Sequence, residues 1–400
     1  MTYFAIIWHN PQLSCYELQL SWANDITLKN KHIITFTPHK SYNLKNLAWS
    51  IKTGRVVTRK DLNTILADTS LIGALNKEFA QMIKNIFPSI KRFKLTDLLH
   101  TDKEVKEQGK EIINIDGKVF GIVEDFQNIQ LYETIDFQKP FRGMSIGMMP
   151  SKLAHILINI AIYHQSLFQK TSSDPLTIYD PFCGFGTTNM IANACGFDTI
   201  GSDINISQAK HNTKRRKENN ERQNWTIHYP DFPYPDHESK ITLFKHDITQ
   251  PLIKPFLQHA NTIVSEWRLW PICKSIPPPS QQQDNYKKIL TLYAWLLTSL
   301  ATFHHSWSPT VMVICVPRYM NTKQIQKQQQ TINLQPEDLY DYFHGKEKTS
   351  SDPHPWNQFL WQLSNIAHQH QRNILDPHLM YARASHITAR KILIITTQQE

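Results

Sequence analysis

Hydrophobic and polar positions follow two different patterns along the chain. In the first part, short alternating runs such as Tyr3–Trp8 are mixed with helical patterns such as Leu75–Ile86. Alternation at every second residue indicates half-buried strands, whereas apolar residues every three or four positions indicate helices. Ser14 and Glu17 have the spacing of a capping box, which predicts that a helix begins at Ser14. We therefore expect a smaller α+β domain over residues 1–140.

Strands and helices alternate in the second part of the chain. The pattern loosens over Phe137–Met149, where glycines and a proline interrupt any regular period, and this segment marks the predicted domain junction. Beyond it, strand patterns such as Leu176–Tyr179, Thr199–Asp203 and Thr310–Val316 are separated by helical patterns. Such alternation is typical of a parallel sheet covered on both faces. The prediction for residues 141–400 is an α/β, Rossmann-like domain.

Two features modify this α/β prediction near the end of the chain. Residues 321–370 are rich in Gln, His and Asp with little periodicity, which predicts an insertion. Leu379–Ala382 and Ala389–Thr396 then have strand patterns, and we expect them to form an antiparallel pair at the edge of the sheet.

A loop with the composition of a cofactor-binding turn follows the strand Leu176–Tyr179. It reads Asp180-Pro-Phe-Cys-Gly-Phe-Gly-Thr187 and leads directly into a helix. Gly184 and Gly186 permit a sharp turn, and the free amides of the helix N-terminus can bind a carboxylate or phosphate. Position 189 is Asn, so the third glycine of a dinucleotide fingerprint is absent, which disfavours a nicotinamide cofactor. The alternative is that both glycines only shape a strand-to-helix turn.

Acidic residues lie where the next two predicted strands end. Asp203 ends the second strand, where a carboxylate can accept both hydroxyls of a ribose; alternatively, it caps the helix that begins near Ser207. Asp247 follows the third strand and could accept from an adenine amine, or it could be a turn residue.

Charge and cysteine content limit the kinds of partner that the sequence suggests. The chain has 43 Lys and Arg against 34 Asp and Glu, and a net charge of +9 favours a polyanionic partner. Lys210 and the basic residues 214–217 could contact RNA phosphates, or could form a solvated helix face. The five cysteines include no CxxC pair, so we expect reduced thiols and no metal. With no membrane-length apolar run and no signal-peptide pattern, we expect no membrane partner and a cytoplasmic location.

Four segments resemble known sequences in the same order. Asp180–Thr187 resembles the DPFCGxGT signature of class I methyltransferases that modify exocyclic amines on nucleic acids. Phe4–Leu18 is similar to the NPxLSxxEL opening of the THUMP-associated tRNA guanosine methyltransferase family, and Gly147–Ala154 to its GMMPPKLA segment. Leu379–Arg390 resembles the closing hairpin of that family.

The resemblance implies a class I methyltransferase that uses S-adenosylmethionine to modify an exocyclic amine of guanosine in tRNA or another structured RNA. Residues 1–140 would then be a THUMP-like RNA-binding region. Asp180, Gly184 and Gly186 would hold the methionine end of the cofactor, Asp203 its ribose and Asp247 its adenine. The remaining residues implied for cofactor binding are Pro181, Phe182 and Thr187.

The resemblance also implies where transfer would occur. Amino methyltransferases of this type carry Asp or Asn, two prolines and an aromatic residue after the fourth strand, so that an oxygen accepts from the target amine. Here the equivalent residues are Ser265-Glu-Trp-Arg268, which makes Glu266 the acceptor and Trp267 a stacking platform. Two alternatives remain open: a catalytically inactive RNA-binding relative, and an enzyme that methylates DNA or small molecules.

Overall fold

The computed structural model separates the chain into two compact units, Met1–Asn128 and Ile129–Glu400, each with its own sheet. The residues it describes are 1–7, 10–20, 23–38, 47–98, 100–127, 129–143, 148–168, 176–213, 239–257, 259–266, 275–302, 310–321, 323–325, 354–377, 379–382 and 388–398.

The first unit is an α+β structure around an eight-stranded sheet of order β2-β3-β1-β4-β8-β7-β5-β6. Strand β5 pairs in parallel with its two neighbours, and the other pairs are antiparallel. Its elements are β1 (Tyr3–Ile7), α1 (Pro11–Leu20), β2 (Ala23–Asn30), β3 (Ile33–Pro38), β4 (Ser50–Thr58), α2 (Arg59–Leu66), β5 (Leu71–Ala74), α3 (Lys77–Ile86), β6 (Arg92–Leu95), α4 (Lys103–Gln108), β7 (Lys110–Asn114) and β8 (Val119–Phe126).

The predicted start of the first helix is wrong. Helix α1 begins at Pro11, and Asn10 caps it by accepting a hydrogen bond from the Leu13 amide at 3.3 Å. Glu17 is fully buried, and its carboxylate accepts from the amides of Ala48 at 2.6 Å and Trp49 at 2.9 Å. The capping-box spacing therefore reflected a tertiary contact, because Glu17 satisfies the backbone of a distant segment.

The second unit is an α/β structure around a seven-stranded sheet of order β11-β10-β9-β12-β13-β16-β14, with β15 paired to β16. Its elements are α5 (Ile129–Glu133), a π-helical turn (Thr134–Gln138), α6 (Ser151–Phe168), β9 (Thr177–Asp180), α7 (Thr187–Ala194), β10 (Asp198–Asp203), α8 (Ser207–Thr213), β11 (Ile241–Lys245), α9 (Lys254–Leu257), β12 (Thr262–Glu266), α10 (Pro279–Ala301), β13 (Val311–Tyr319), α11 (Pro355–Gln369), β14 (Arg372–Leu375), β15 (Met380–Tyr381) and β16 (Thr388–Thr397).

Strand direction confirms the predicted Rossmann-like fold class. Strands β9 to β13 are all parallel, and only β16 runs against them. The chain fills one side of β9 with β10 and β11, and then returns to the other side with β12 and β13. Ligands of such sheets bind outside the carboxyl ends of the strands at the point where this order reverses. In the described part of the chain, no helix is long and apolar enough to cross a bilayer.

The boundary between the units lies earlier than the predicted division at residues 140 and 141. Residues 129–140 belong to the second unit. The Tyr132 hydroxyl lies 2.7 Å from Nδ1 of His155, and Asp136 accepts from the Ser151 amide at 2.9 Å at the start of α6. These hydrogen bonds attach residues 129–138 to α6, whereas the loosened pattern of Phe137–Met149 had placed the junction later in the chain.

The antiparallel strand β16 was predicted to lie at the edge of the sheet, but it is an interior strand. Strand β16 lies between β13 and β14, and only its first and last residues are not buried. Strand β14, which the sequence did not predict, forms the edge and is antiparallel to β16. The hydrophobic run of Ala389–Thr396 is long because both of its faces are covered, which is typical of an interior strand.

The predicted insertion at 321–370 contains a core helix. Helix α11 buries Trp356, Phe359 and Leu363 against the aromatic ring of Tyr286 on α10 and its neighbours. Its other face is rich in Gln, His and Asn, and this composition concealed the helical spacing. Residues 326–353 of the predicted insertion lie outside the described residues.

Helix α7 packs closely against β10 despite the missing third glycine. Asn189 is fully buried and donates from Nδ2 to the Thr199 hydroxyl at 3.3 Å. A Cβ atom at Gly201 would lie 2.7 Å from Oδ1 of Asn189 and 2.6 Å from Cδ2 of Leu243. The space for close approach is therefore provided by the strand, where Gly201 faces the asparagine.

Candidate functional site

Four acidic residues lie at the carboxyl ends of four adjacent parallel strands. In the spatial order β11, β10, β9 and β12, these are Asp247, Asp203, Asp180 and Glu266. All four line one cavity of about 530 Å³ at the carboxyl ends of the strands. The structure thus brings together residues that are separated by up to 86 positions in the chain. The other predicted cofactor-binding residues that line the cavity are Pro181, Phe182, Gly184 and Thr187.

Gly186 is the one described residue of the predicted site that is not among those lining this cavity. Gly186 is the residue before α7, with a φ of 79°, and a Cβ there would lie 3.4 Å from the Cβ of Ala209. Side chains rarely adopt that backbone region, which explains a glycine at this position. Trp267, the predicted stacking platform, lies outside the described residues, as do the basic residues 214–217.

The loop after β9 leaves helix α7 without a side-chain cap. Gly184 also has a positive φ, 50°, and the loop is closed by a hydrogen bond from the Gly186 amide to the Cys183 carbonyl at 2.6 Å. The first intrahelical bond is donated by Met190 to Gly186 at 2.9 Å, and Gly186 has no side chain that could bind the preceding amides. The first-turn amides are therefore available to an anion.

Asp203 connects the second strand to this loop. Its Oδ2 accepts from the Gly184 amide at 3.0 Å, and its Oδ1 accepts from the Asn205 amide at 2.9 Å. Neither bond involves an amide of α8, so Asp203 does not cap that helix. Each oxygen has a further lone pair, which leaves the carboxylate able to accept from a ligand.

Asp180 is a buried acid that titrates near neutral pH. It accepts hydrogen bonds from the Ser265 hydroxyl at 2.5 Å and from the Phe182 amide at 3.1 Å. Burial raises the pKa of Asp180 to about 7, and these hydrogen bonds oppose the rise. The nearby charge of Asp203 adds to the rise. A cation bound in the cavity would favour the ionised form of Asp180.

Asp247 is a turn residue that also lines the cavity. Its Oδ1 accepts from the amide of Thr249 at 3.0 Å and from the hydroxyl of Thr249 at 2.8 Å, which forms a turn. These hydrogen bonds lower the pKa of Asp247, so the side chain is a carboxylate at neutral pH. Its Oδ2 accepts no hydrogen bond from the described residues, and Asp247 also lines the cavity.

Sequence reasoning missed Arg390 as a member of the site. Arg390 lies on β16, and its Nε donates to Oε1 of Glu266. Its Nη2 donates to the carbonyl of Met148 at 3.1 Å, and its guanidinium lies 5.7 Å from the ring centroid of Tyr381. The side chains of Arg390 and Glu266 are only 2% and 8% exposed. Arg390 therefore fixes Glu266, the predicted hydrogen-bond acceptor for the target amine, in a buried ion pair.

The available signal for Arg390 was the resemblance of Leu379–Arg390 to a closing hairpin, which contains both Arg390 and Tyr381. It did not indicate the acidic partner. No group of three or more His, Cys, Asp or Glu side chains within the described ranges could hold a metal ion.

No protein-family model and no curated protein matches this sequence. Solved methyltransferases have low similarity to it. For magnesium protoporphyrin IX methyltransferase from Synechocystis PCC 6803 with bound SAH, identity is 10%, coverage is 67% of this chain and 99% of that chain, and the TM-score is 0.34. The rRNA methyltransferase aviRa from Streptomyces viridochromogenes is 14% identical, with coverage of 48% of this chain and 82% of that chain and a TM-score of 0.30. The tRNA (uracil-54, C5)-methyltransferase of Pyrococcus abyssi in complex with S-adenosyl-L-homocysteine is 14% identical, with coverage of 63% of this chain and 40% of that chain and a TM-score of 0.27. Similarity at this level assigns neither substrate nor cofactor to this chain.

Proposed function

We propose that this chain is an S-adenosylmethionine-dependent methyltransferase that acts on an exocyclic amine of guanosine in tRNA. The observation that carries the proposal is the row of carboxylates from Asp247, Asp203, Asp180 and Glu266 around one cavity at the switch point of a parallel sheet. A sulfonium nucleoside has hydroxyls, an amine and positive charge, and each of these groups favours a carboxylate partner.

The residues present fit this cofactor from one end of the row to the other. Oδ2 of Asp247 is free of hydrogen bonds from the described residues and can accept from the adenine amine, with Ile204 and Ile248 as apolar neighbours in the cavity wall. Asp203 can accept from the ribose hydroxyls. Asp180, next along the sheet, can bind the positively charged methionine end once it is ionised.

Glu266 and Arg390 would act on the substrate. The cofactor, when bound, supplies an electrophilic methyl group on its sulfonium. Glu266 Oε2 can accept a hydrogen bond from the target amine, which directs the nitrogen lone pair away from the carboxylate. Arg390 occupies Oε1 and so holds the carboxylate in one orientation.

An RNA substrate is supported by the net charge of +9 and by the resemblance of four segments to tRNA guanosine methyltransferases. In this proposal, the first unit, residues 1–128, binds the RNA as a THUMP-like region, and the protein is cytoplasmic. The test is incubation of the purified chain with methyl-labelled S-adenosylmethionine and total tRNA. Label on the exocyclic amine of guanosine supports the proposal, whereas label on another atom or in DNA alone contradicts the substrate.

A cofactor-binding protein that does not transfer methyl groups is the second candidate. The observation that favours it is the ion pair of Glu266 with Arg390, which occupies one oxygen of the predicted acceptor. Cofactor binding with no label in any nucleic acid would support this candidate.

Asp203→Ala should weaken cofactor binding about 10- to 100-fold, because charge-assisted hydrogen bonds to the ribose are lost. Calorimetric titration with S-adenosylhomocysteine measures the change. Asp198→Ala is the matched control, since Asp198 begins the same strand and accepts from the Lys240 amide at 2.7 Å. Equal affinities for the two variants would exclude the ribose role of Asp203.

Cofactor affinity should depend on pH through Asp180. Because the pKa of Asp180 is about 7 in the unliganded protein, binding a sulfonium below that pH must displace a proton. We expect the affinity for S-adenosylmethionine to fall as pH is lowered from 8 to 5.5, by up to about tenfold per pH unit below the pKa. S-adenosylhomocysteine keeps the ammonium of its amino-acid part but lacks the sulfonium charge, so its affinity should respond less.

The raised pKa of Asp180 also makes the stability of the unliganded protein depend on pH, in the opposite direction to cofactor affinity. A folded-state pKa above that of the unfolded chain makes the contribution of Asp180 decline as pH rises through about 7. Asp180→Asn should remove both pH dependences. If this variant keeps the pH profile of S-adenosylmethionine binding, another group is responsible.

A further inference from the structure

Lys139 is a buried cation with no anionic partner among the described residues. Its side chain is only 2% exposed, and its Nζ donates to the hydroxyl of Thr187 at 2.8 Å. In the described part of the chain, no carboxylate lies within ion-pair distance of this ammonium. Asp136, the acidic residue that influences it most, accepts from the Ser151 amide instead. An isolated buried charge is costly, so its retention calls for an anion.

The position of Lys139 is fixed relative to the loop after β9. Asn212 on α8 is fully buried, and it both accepts from the Phe141 amide at 2.8 Å and donates to the Phe141 carbonyl at 3.0 Å. The same amide group donates to the Phe185 carbonyl at 2.9 Å. Asn212 thus binds the segment that carries Lys139 to the segment that carries Phe185 and Gly184, both of which line the cavity.

A second observation points to the same place. Thr187, the partner of Lys139, is the first residue of α7 and lines the cavity. The preceding residue is Gly186, so the first-turn amides of this eight-residue helix have no side-chain cap. The Thr187 oxygen accepts from Lys139, which leaves the hydroxyl proton free to be donated into the cavity. The cation and the uncapped helix end therefore favour an anion at one position.

We propose that Lys139, Thr187 and the N-terminus of α7 form an anion subsite that binds the carboxylate of the cofactor's methionine group. The assignment of this ligand rests on the proposed function. In this arrangement Asp180 neutralises the positive charge of the methionine end, and Lys139 neutralises its negative charge. Specificity for an amino-acid tail on the nucleoside then depends on a segment that precedes the sheet.

The test compares two ligands that differ by one group. S-adenosylhomocysteine carries the carboxylate, and its decarboxylated analogue keeps the amine and the nucleoside. By calorimetry, the wild-type chain should prefer S-adenosylhomocysteine, and Lys139→Met should reduce that preference about 10- to 100-fold. Affinity for the decarboxylated analogue should stay unchanged.

Two further variants make the result specific. Lys152→Met removes another partly buried lysine of the same unit, one whose ammonium lies 5.5 Å from the centroid of the Tyr132 ring, and it should keep the wild-type preference. If Lys139→Met fails to fold, Thr187→Val removes the bridging hydroxyl at similar volume and should also reduce the preference. A preference retained by both site variants, or equal loss for both ligands, overturns the proposal.

Failure of the proposed function would give a different result. If the wild-type chain binds neither nucleoside, S-adenosylmethionine is the wrong cofactor, and inorganic sulfate then tests the subsite alone. At constant ionic strength, replacing chloride by sulfate should raise the Tm of the wild-type chain more than that of Lys139→Met. Equal shifts for the two proteins would show that no anion subsite exists there.

Discussion

Replacing Arg390 by Met should lower the free energy of unfolding of the second unit by ~3–5 kcal/mol, because one partner of a buried ion pair is then left uncompensated. Both side chains of the pair with Glu266 are less than a tenth exposed. The substitution also removes the donor that binds the Met148 carbonyl at 3.1 Å. Urea denaturation, followed by near-ultraviolet circular dichroism, measures the change.

The control for Arg390→Met is an ion pair of the same unit that is exposed to solvent. Lys287 and Asp284 on α10 are 3.9 Å apart, with side chains 73% and 70% exposed. Lys287→Met should therefore cost less than ~1 kcal/mol. In addition, the double variant Arg390→Met with Glu266→Leu should recover part of the loss, since it removes the orphaned carboxylate. If Arg390→Met and Lys287→Met lowered the free energy of unfolding equally, burial of the Arg390 ion pair would not explain its contribution to stability.

Glu266→Gln should reduce methyl transfer by about 100-fold or more while leaving cofactor affinity unchanged. An amide oxygen can also accept from an amine, but Arg390 already donates to the oxygen position Oε1. The glutamine is expected to direct its oxygen to Arg390, so its NH₂ group would face the target amine. A donor would then face a donor, and the substrate would lose its acceptor.

Single-turnover transfer with saturating labelled cofactor and tRNA measures the effect of Glu266→Gln. Glu124→Gln is a matched control, because it removes the same charge from a half-exposed pair with Arg55 in the first unit. We expect the control to transfer at the wild-type rate. Full transfer by Glu266→Gln would remove Glu266 from the reaction and leave the acceptor among the other cavity residues.

The parts of the site that could be predicted from sequence depend on residues close together in the chain. The loop from Asp180 to Thr187 is recognisable because the strand, the turn and the helix follow one another directly. Asp203 and Asp247 could be placed because parallel strands present their carboxyl ends at one edge. Sequence therefore predicted the four acidic residues that line the cavity, but not most of its apolar wall.

Contacts between distant residues could not be predicted in this way. Glu266 and Arg390 are 124 positions apart, and their pairing requires β16 to lie next to β13. A run of apolar residues does not distinguish an interior strand of this kind from an edge strand paired with a hairpin. Lys139 was missed because its segment has no regular period, and its partner Thr187 lies 48 positions away.

The contact of Gly201 with Asn189 has a consequence for how this fold is recognised in other sequences. Intimate packing of a helix on a strand requires one small residue at the crossing, but either element can supply it. A search that demands the glycine on the helix rejects every protein in which the two partners have exchanged sizes. Scoring the pair jointly, as a sum of two volumes, would retrieve such relatives.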